Sequence, residues 1–111
     1  VLDAGTLQIH AFHPIERRLL WSAGRKGSGP GEFLAPVDIA TTRRGVAVLD
    51  PANGRISEYA VTGKHLRDLS NDILSRAKAM CIMADGSIVL NTSQPDSYLI
   101  RISQVGRVLH R

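Results

Sequence analysis

The chain repeats itself. Val1-Leu2-Asp3 recurs as Val48-Leu49-Asp50, 47 positions on. At that offset Gln8-Ile9-His10-Ala11-Phe12 lies over Arg55-Ile56-Ser57-Glu58-Tyr59, and Leu19 over Leu66. A third copy follows. Gly45-Val46-Ala47-Val48-Leu49-Asp50 matches Gly86-Ser87-Ile88-Val89-Leu90-Asn91 at an offset of 41. Tyr59 matches Ile102, and Gly63-Lys64-His65-Leu66 matches Gly106-Arg107-Val108-Leu109, both at an offset of 43. The change from 41 to 43 places two extra residues in the turn Thr92–Ser97, where insertion costs little. Repeats of this length are supersecondary units that hide their apolar faces against one another.

Within one repeat the pattern reads as short strands. Asp38–Thr41 is a first, inner strand. Val46–Asp50 is the short apolar run of a strand covered on both faces, and Arg55–Ala60 alternates, with Ile56 and Tyr59 as its large apolar members. Val61-Thr62-Gly63-Lys64 is a hairpin turn in which Gly63 supplies a positive φ, and Leu66–Leu69 is a fourth, outer strand. Four short strands in about 40–47 residues is the period of a β-propeller blade. The expected fold class is therefore all-β, built of twisted four-stranded antiparallel units. Residues 1–23 are the end of one unit, starting at the close of its second strand. Residues 24–69 are a complete unit with its connecting loop, and 70–111 a degenerate third. Asn71–Ala79 reads as a loop with one helical turn capped by Asn71 or Asp72. Aromatic residues make up only 5% of the chain, so the core rests on Val, Ile, Leu and Ala. Ile9, Phe12, Val37, Ile39, Val46, Val48, Ile56, Tyr59, Leu66, Ile82, Ile88, Leu90, Leu99 and Ile102 are expected between sheets. Each large side chain buried there contributes about 1.5–3 kcal/mol. Cys81, between Met80 and Ile82-Met83, reads as a buried thiol.

Three spaced submotifs carry a family resemblance. Gly27-Ser28-Gly29-Pro30-Gly31-Glu32-Phe33-Leu34-Ala35-Pro36-Val37-Asp38-Ile39-Ala40 resembles the opening of the NHL repeat. Val48-Leu49-Asp50-Pro51-Ala52-Asn53-Gly54-Arg55-Ile56-Ser57-Glu58-Tyr59 resembles its centre, and Gly63-Lys64-His65-Leu66 its ending. The third copy departs from the pattern. It has no Gly-Pro-Gly-Glu-Phe, and Thr92-Ser93-Gln94-Pro95-Asp96-Ser97 replaces the Asn-x-Arg turn. The resemblance implies an NHL-like β-propeller fragment of about two and a half blades. The ring, commonly six-bladed, would be closed by the remaining blades of a longer protein. It also implies a bacterial, extracytoplasmic setting, periplasmic or secreted. Repeats without a catalytic constellation favour non-catalytic binding of a protein or small-molecule ligand through the loop rim. The alternatives are a metal-dependent hydrolase or lyase of propeller type and an RNA-binding NHL domain.

Asp50, Asn53 and Arg55 surround the turn between the second and third strands. As structural residues, Asp50 would accept turn N–H groups, Asn53 would tolerate a left-handed backbone and Arg55 could pair with Asp50. As functional residues they would belong to a binding rim shared with Arg25, Lys26, Ser28 and Glu32, because the connecting loop falls at the same end of the meander. Asp38 opens an inner strand and completes the candidate rim. It would face a central channel, where some propeller enzymes hold calcium, but one carboxylate cannot make that site.

Other chemistry is not legible. Gly24–Gly31 lacks the Lys of a phosphate-binding loop, since Pro30 follows Gly29, and Pro36 argues against the helix a dinucleotide fold requires. His10, His13, His65 and His110 match no zinc spacing. No nucleophile–base or paired-carboxylate motif stands out, so no catalytic, metal or cofactor residue is assigned and no cofactor is expected. The net charge of +4 is spread from Arg17 to Arg111 rather than clustered, so a nucleic-acid partner is not favoured. No apolar run reaches the ~20 residues of a transmembrane helix, and the lone Cys81 leaves no disulfide within the chain.

Overall fold

The computed structural model describes residues 2, 3, 5–92, 98–103 and 108–110. The chain is all-β. Its strands form three antiparallel sheets, each joining strands consecutive in sequence. The first holds β1 (Leu2–Asp3), β2 (Gln8–Phe12) and β3 (Leu19–Ala23). The second holds β4 (Asp38–Thr41), β5 (Gly45–Asp50), β6 (Arg55–Ala60) and β7 (His65–Ser70). The third holds β8 (Ala77–Ile82), β9 (Ile88–Thr92), β10 (Tyr98–Ile102) and β11 (Val108–His110). The expected turns at 93–97 and at Gly106-Arg107 lie outside the described residues. Among the described residues no helix is long and apolar enough to cross a membrane.

The second sheet is the middle layer, and β5 shows why its sequence is almost wholly apolar. Successive side chains of a strand point to opposite faces. Ala47 and Leu49 face the third sheet, where they join Ile56, Leu69, Met80, Ile88, Leu90, Ile100 and Ile102 in one core. Val48 faces the first sheet and meets Ile9, Phe33 and Tyr59 in a second core, with Ile39, Val46 and Trp21 packed against it. A 3-10 turn at Asp72–Arg76 leads into β8. Asn71 caps it, accepting from the Ile73 N–H at 3.0 Å, and it drops the fully buried Leu74 into the larger core.

Several expected core residues lie elsewhere, for reasons of register. Glu58 pairs with Arg67 and Tyr59 with His65, so Leu66 is the extra residue of a β-bulge and turns partly outward. The same irregularity recurs in the last strand pair of the other sheets. Ala11 pairs with Trp21 and Phe12 with Leu19, skipping Leu20. Arg101 pairs with His110 and Ile102 with Val108, skipping Leu109. The repeat is thus in phase at Leu20, Leu66 and Leu109, one position from the expected match of Leu19 with Leu66. Phe12, at the strand end beside its bulge, and Val37, just before β4, are about half exposed. In β10 the inward places belong to Ile100 and Ile102, opposite Leu90 and Ile88, so Leu99 points out. Met80 takes the inward place in β8, which leaves Cys81 exposed rather than buried.

Specific contacts bind neighbouring sheets. The Trp21 indole donates to the Val61 carbonyl at 2.8 Å, and its ring lies flush on the β6–β7 turn. Gly63 there has φ +92°, and an added Cβ would sit 2.8 Å from the ring. Gly45 tolerates no side chain, because a Cβ would fall 2.0 Å from the Tyr59 carbonyl oxygen. Gly63→Ala is expected to destabilise the chain by about 1–3 kcal/mol, through strain at positive φ and displacement of the indole. Val61→Ala, which trims an exposed side chain and keeps the carbonyl, should change stability by less than about 0.5 kcal/mol. Urea unfolding followed by Trp21 fluorescence checks both.

Candidate functional site

The expected rim is built around the loop joining β3 to β4. Asp50 ends β5 and is fully buried. Its carboxylate accepts the N–H groups of Leu34 and Ala35, both at 3.0 Å, and the Asn53 amide at 2.9 Å. The Asn53 amide also donates to the Gly27 carbonyl at 3.0 Å. Arg55, directly opposite Asp50 across the β5–β6 pair, does not pair with it. Its guanidinium donates to the carbonyls of Ser28 at 3.0 Å, Gly29 at 2.6 Å and Glu32 at 2.5 Å, with Asp68 at 3.9 Å. The left-handed residue of the turn is Gly54, at φ 62°, rather than Asn53. Asp50, Asn53 and Arg55 thus come together as a latch on the loop, with their polar groups turned inward on this chain.

Of the remaining rim residues, Arg25, Lys26 and Glu32 belong to the latched loop itself. Arg25 is mostly exposed and pairs with Glu32 at 2.5 Å, while the other Glu32 oxygen accepts the Gly29 N–H at 2.9 Å. That N–H, and then Arg25, hold the Glu32 carboxyl below the ordinary range. Lys26 forms a backbone bridge with Phe33. Phe33 is completely buried, its ring 6.1 Å from that of Tyr59. Burial pushes the Tyr59 phenol up to about 12, with the nearby Asp68 charge acting in the same direction. Asp38 stands apart from the rim. Its carboxylate accepts the Ile39 N–H and, from the third sheet, the Met80 N–H, both at 2.9 Å, and so joins β4 to β8. The histidines serve locally: His10 meets the Ser22 hydroxyl at 2.8 Å, and His13 Nδ1 accepts the Glu16 N–H at 3.0 Å. Among the described residues no group of three or more His, Cys, Asp or Glu could hold a metal ion.

The opposite end of the second sheet carries a feature the sequence reading missed. A cleft of about 750 Å³ opens between the β4–β5 turn (Thr42–Arg44) and the β8–β9 turn (Met83–Gly86). Its floor is apolar, from Ala47, Ile56, Leu69, Ile82 and Ile88. Arg43 spans its two lips by donating to the Ala84 carbonyl at 3.2 Å. Inside it, Glu58 Oε1 accepts from both Arg44 Nη2 and Arg67 Nε, each at 2.9 Å. Burial works against the charged Glu58, but Arg67, Thr42 and Arg44 outweigh it and hold the carboxyl below its ordinary value. One signal was present in the sequence: Glu58 sits at an inward position of β6, where a lone charge requires partners.

Comparison with protein-family models and with curated proteins finds no match for this chain. The geometry itself defines an all-β chain of three antiparallel sheets, with a latched loop at one end of the middle sheet and an open cleft at the other.

Two outcomes test this description. Asp50→Ala strands two loop N–H groups and the Asn53 amide, and should cost about 3 kcal/mol or more in urea unfolding. Asp50→Asn, which keeps one acceptor oxygen, should cost less. Glu58 has a depressed carboxyl in the folded chain, against an unperturbed value of 4.5. Its contribution to stability is therefore complete above the unfolded value and disappears as pH falls through the lower folded value. The stability gap between the parent chain and Glu58→Gln should be flat from neutral pH to about pH 5 and narrow by about pH 3. Urea midpoints measured across that range check it.

Proposed function

We propose that the chain is a stretch of an NHL-type β-propeller that acts as a non-catalytic binding domain, its ring completed by further blades of a longer protein. Support for the propeller comes from repeated strand order, from the bulge recurring at one place in each sheet, and from two cores that each lie between consecutive sheets. Stacked blades require that arrangement, because no single blade can hide its own apolar face. Support for binding comes from one observation above all, the open cleft between the second and third sheets. Ligand sites are concave, mostly apolar and about 300–1,000 Å³ in volume, with a few placed polar groups. The cleft has each of these properties. The rim at the Asp50 end is a weaker candidate, because its buried polar groups already hold the loop. Binding therefore belongs at the edge formed by the β4–β5 and β8–β9 turns.

The test uses the neutral fluorophore N-phenyl-1-naphthylamine and its anionic analogue 8-anilinonaphthalene-1-sulfonate with the isotope-labelled chain. Saturable binding of either, with backbone NMR shifts at residues 42–45 and 83–87 and none at 27–36, is the expected result. Failure of both probes to saturate, or shifts elsewhere, rejects the reading.

A further inference from the structure

We infer that the cleft takes a small organic anion, with an apolar body on the floor and one carboxylate, sulfonate or phosphate head on Arg44 and Arg67. The inference rests on the binding reading above and adds the ligand's chemistry. It follows from how charge is arranged there.

Glu58 gives one oxygen to two guanidiniums, 2.9 Å from each. The carboxylate is nearly buried, while the Arg44 side chain is 56% exposed and that of Arg67 31%. Glu58 therefore fixes both arginines from beneath and leaves their outer edges facing the cleft. A guanidinium carries five N–H donors. Arg44 uses Nη2 and Arg67 uses Nε toward Glu58, so most donors of both remain for a ligand. Planar guanidinium edges suit a two-oxygen head group bound through parallel hydrogen bonds.

The local charge has the same sign. Arg43 and Arg44 sit on one lip and Arg67 on the wall, against Glu58 and Asp85. Asp85 is already paired with Arg101, whose Nη2 lies 2.5 Å from it. Three guanidiniums thus line the cleft against two carboxylates, one of which, Asp85, is paired with Arg101 from outside the lining, and the surplus positive charge disfavours a metal cation and favours an anion. The head would lie near the mouth, where Arg44 is exposed, and the body would reach Ile56, Leu69 and Ile88 beneath. Arg43, by bridging the lips to Ala84, keeps the mouth formed without closing it.

The experiment compares the two probes named above, which share a skeleton and differ in the sulfonate. The anionic probe should bind about tenfold more tightly than the neutral one at low salt. The advantage should shrink in about 0.5 M sodium chloride, because the arginines are solvent-exposed. The variant Arg44→Gln with Glu58→Gln and Arg67→Gln, which removes the cluster without leaving a buried charge, should abolish the advantage. If that variant lacks the parent circular-dichroism spectrum, Arg44→Gln alone carries the test and should reduce the advantage about threefold. Arg76→Gln, an exposed site at the other end of the sheet, should leave it unchanged. 1-Naphthoate and 1-naphthyl phosphate, competed against the sulfonate, separate a carboxylate head from a phosphate head. Displacement by either supports the inference, and displacement by neither overturns it. Equal binding of the two probes overturns the anion inference while leaving a binding cleft in place. Binding of neither overturns the cleft itself. A sulfonate advantage that survives loss of the arginines also overturns the inference.

Discussion

The loop between the first two sheets packs against one end of the second, where several of its backbone groups need partners. Two opposite charges solve this together. Asp50 and Arg55 are cross-strand partners on β5 and β6. Each turns instead to the loop, Asp50 to its N–H groups and Arg55 to its carbonyls. Removing a charge from water is costly unless it is paired and hydrogen-bonded. The loop supplies hydrogen bonds to both, and Asp68, 3.9 Å from the Arg55 guanidinium, supplies a nearby opposite charge. With the loop held, Phe33 is delivered into the core between the first and second sheets. Gly24 must then be glycine, since a Cβ there would meet the Phe33 ring at 2.5 Å.

Much of this strand organisation is readable in the sequence. The bounds of β4 and β6 follow from alternation and turn residues, and side-chain chemistry narrows the cap to Asn71 or Asp72, of which Asn71 is the one used. Parity was harder. A strand slipped by one residue exchanges its two faces, and a bulge performs that slip locally. Leu66 and Leu99 read as inward from the sequence, yet Leu66 is the bulged residue and Leu99 is out of phase with Ile100. Phe33 and Leu74 were missed in the core because both come from irregular segments, where periodicity carries no information. An apolar neighbourhood in sequence says nothing about which neighbour faces in, and at this point of β8 Met80 faces in and Cys81 out.

The candidate sites divide along the same line. Asp50, Asn53 and Arg55 stand within six residues, and a turn brings such residues together whatever the tertiary packing, so their grouping was legible. The cleft was not. Its walls come from residues 41–44, 56–58, 67–69 and 82–88, and only the spacing of two sheets decides whether a gap remains between them. Arg44 and Arg67 look like ordinary surface charges until Glu58 is seen between them on the same face.

The two apolar cores share no residue. The middle sheet contributes to both, whereas the first sheet contributes to one and the third to the other. Cohesion in such a stack is a matter of nearest neighbours, as in a one-dimensional Ising chain. The free energy of opening then varies along the sequence instead of being a single number. Amide protons in β5 and β6 are expected to be the better protected, since the middle sheet packs on both sides, whereas β2 and β3 pack on one. A gradient of exchange protection peaking in the middle sheet is the dynamic signature of this layering.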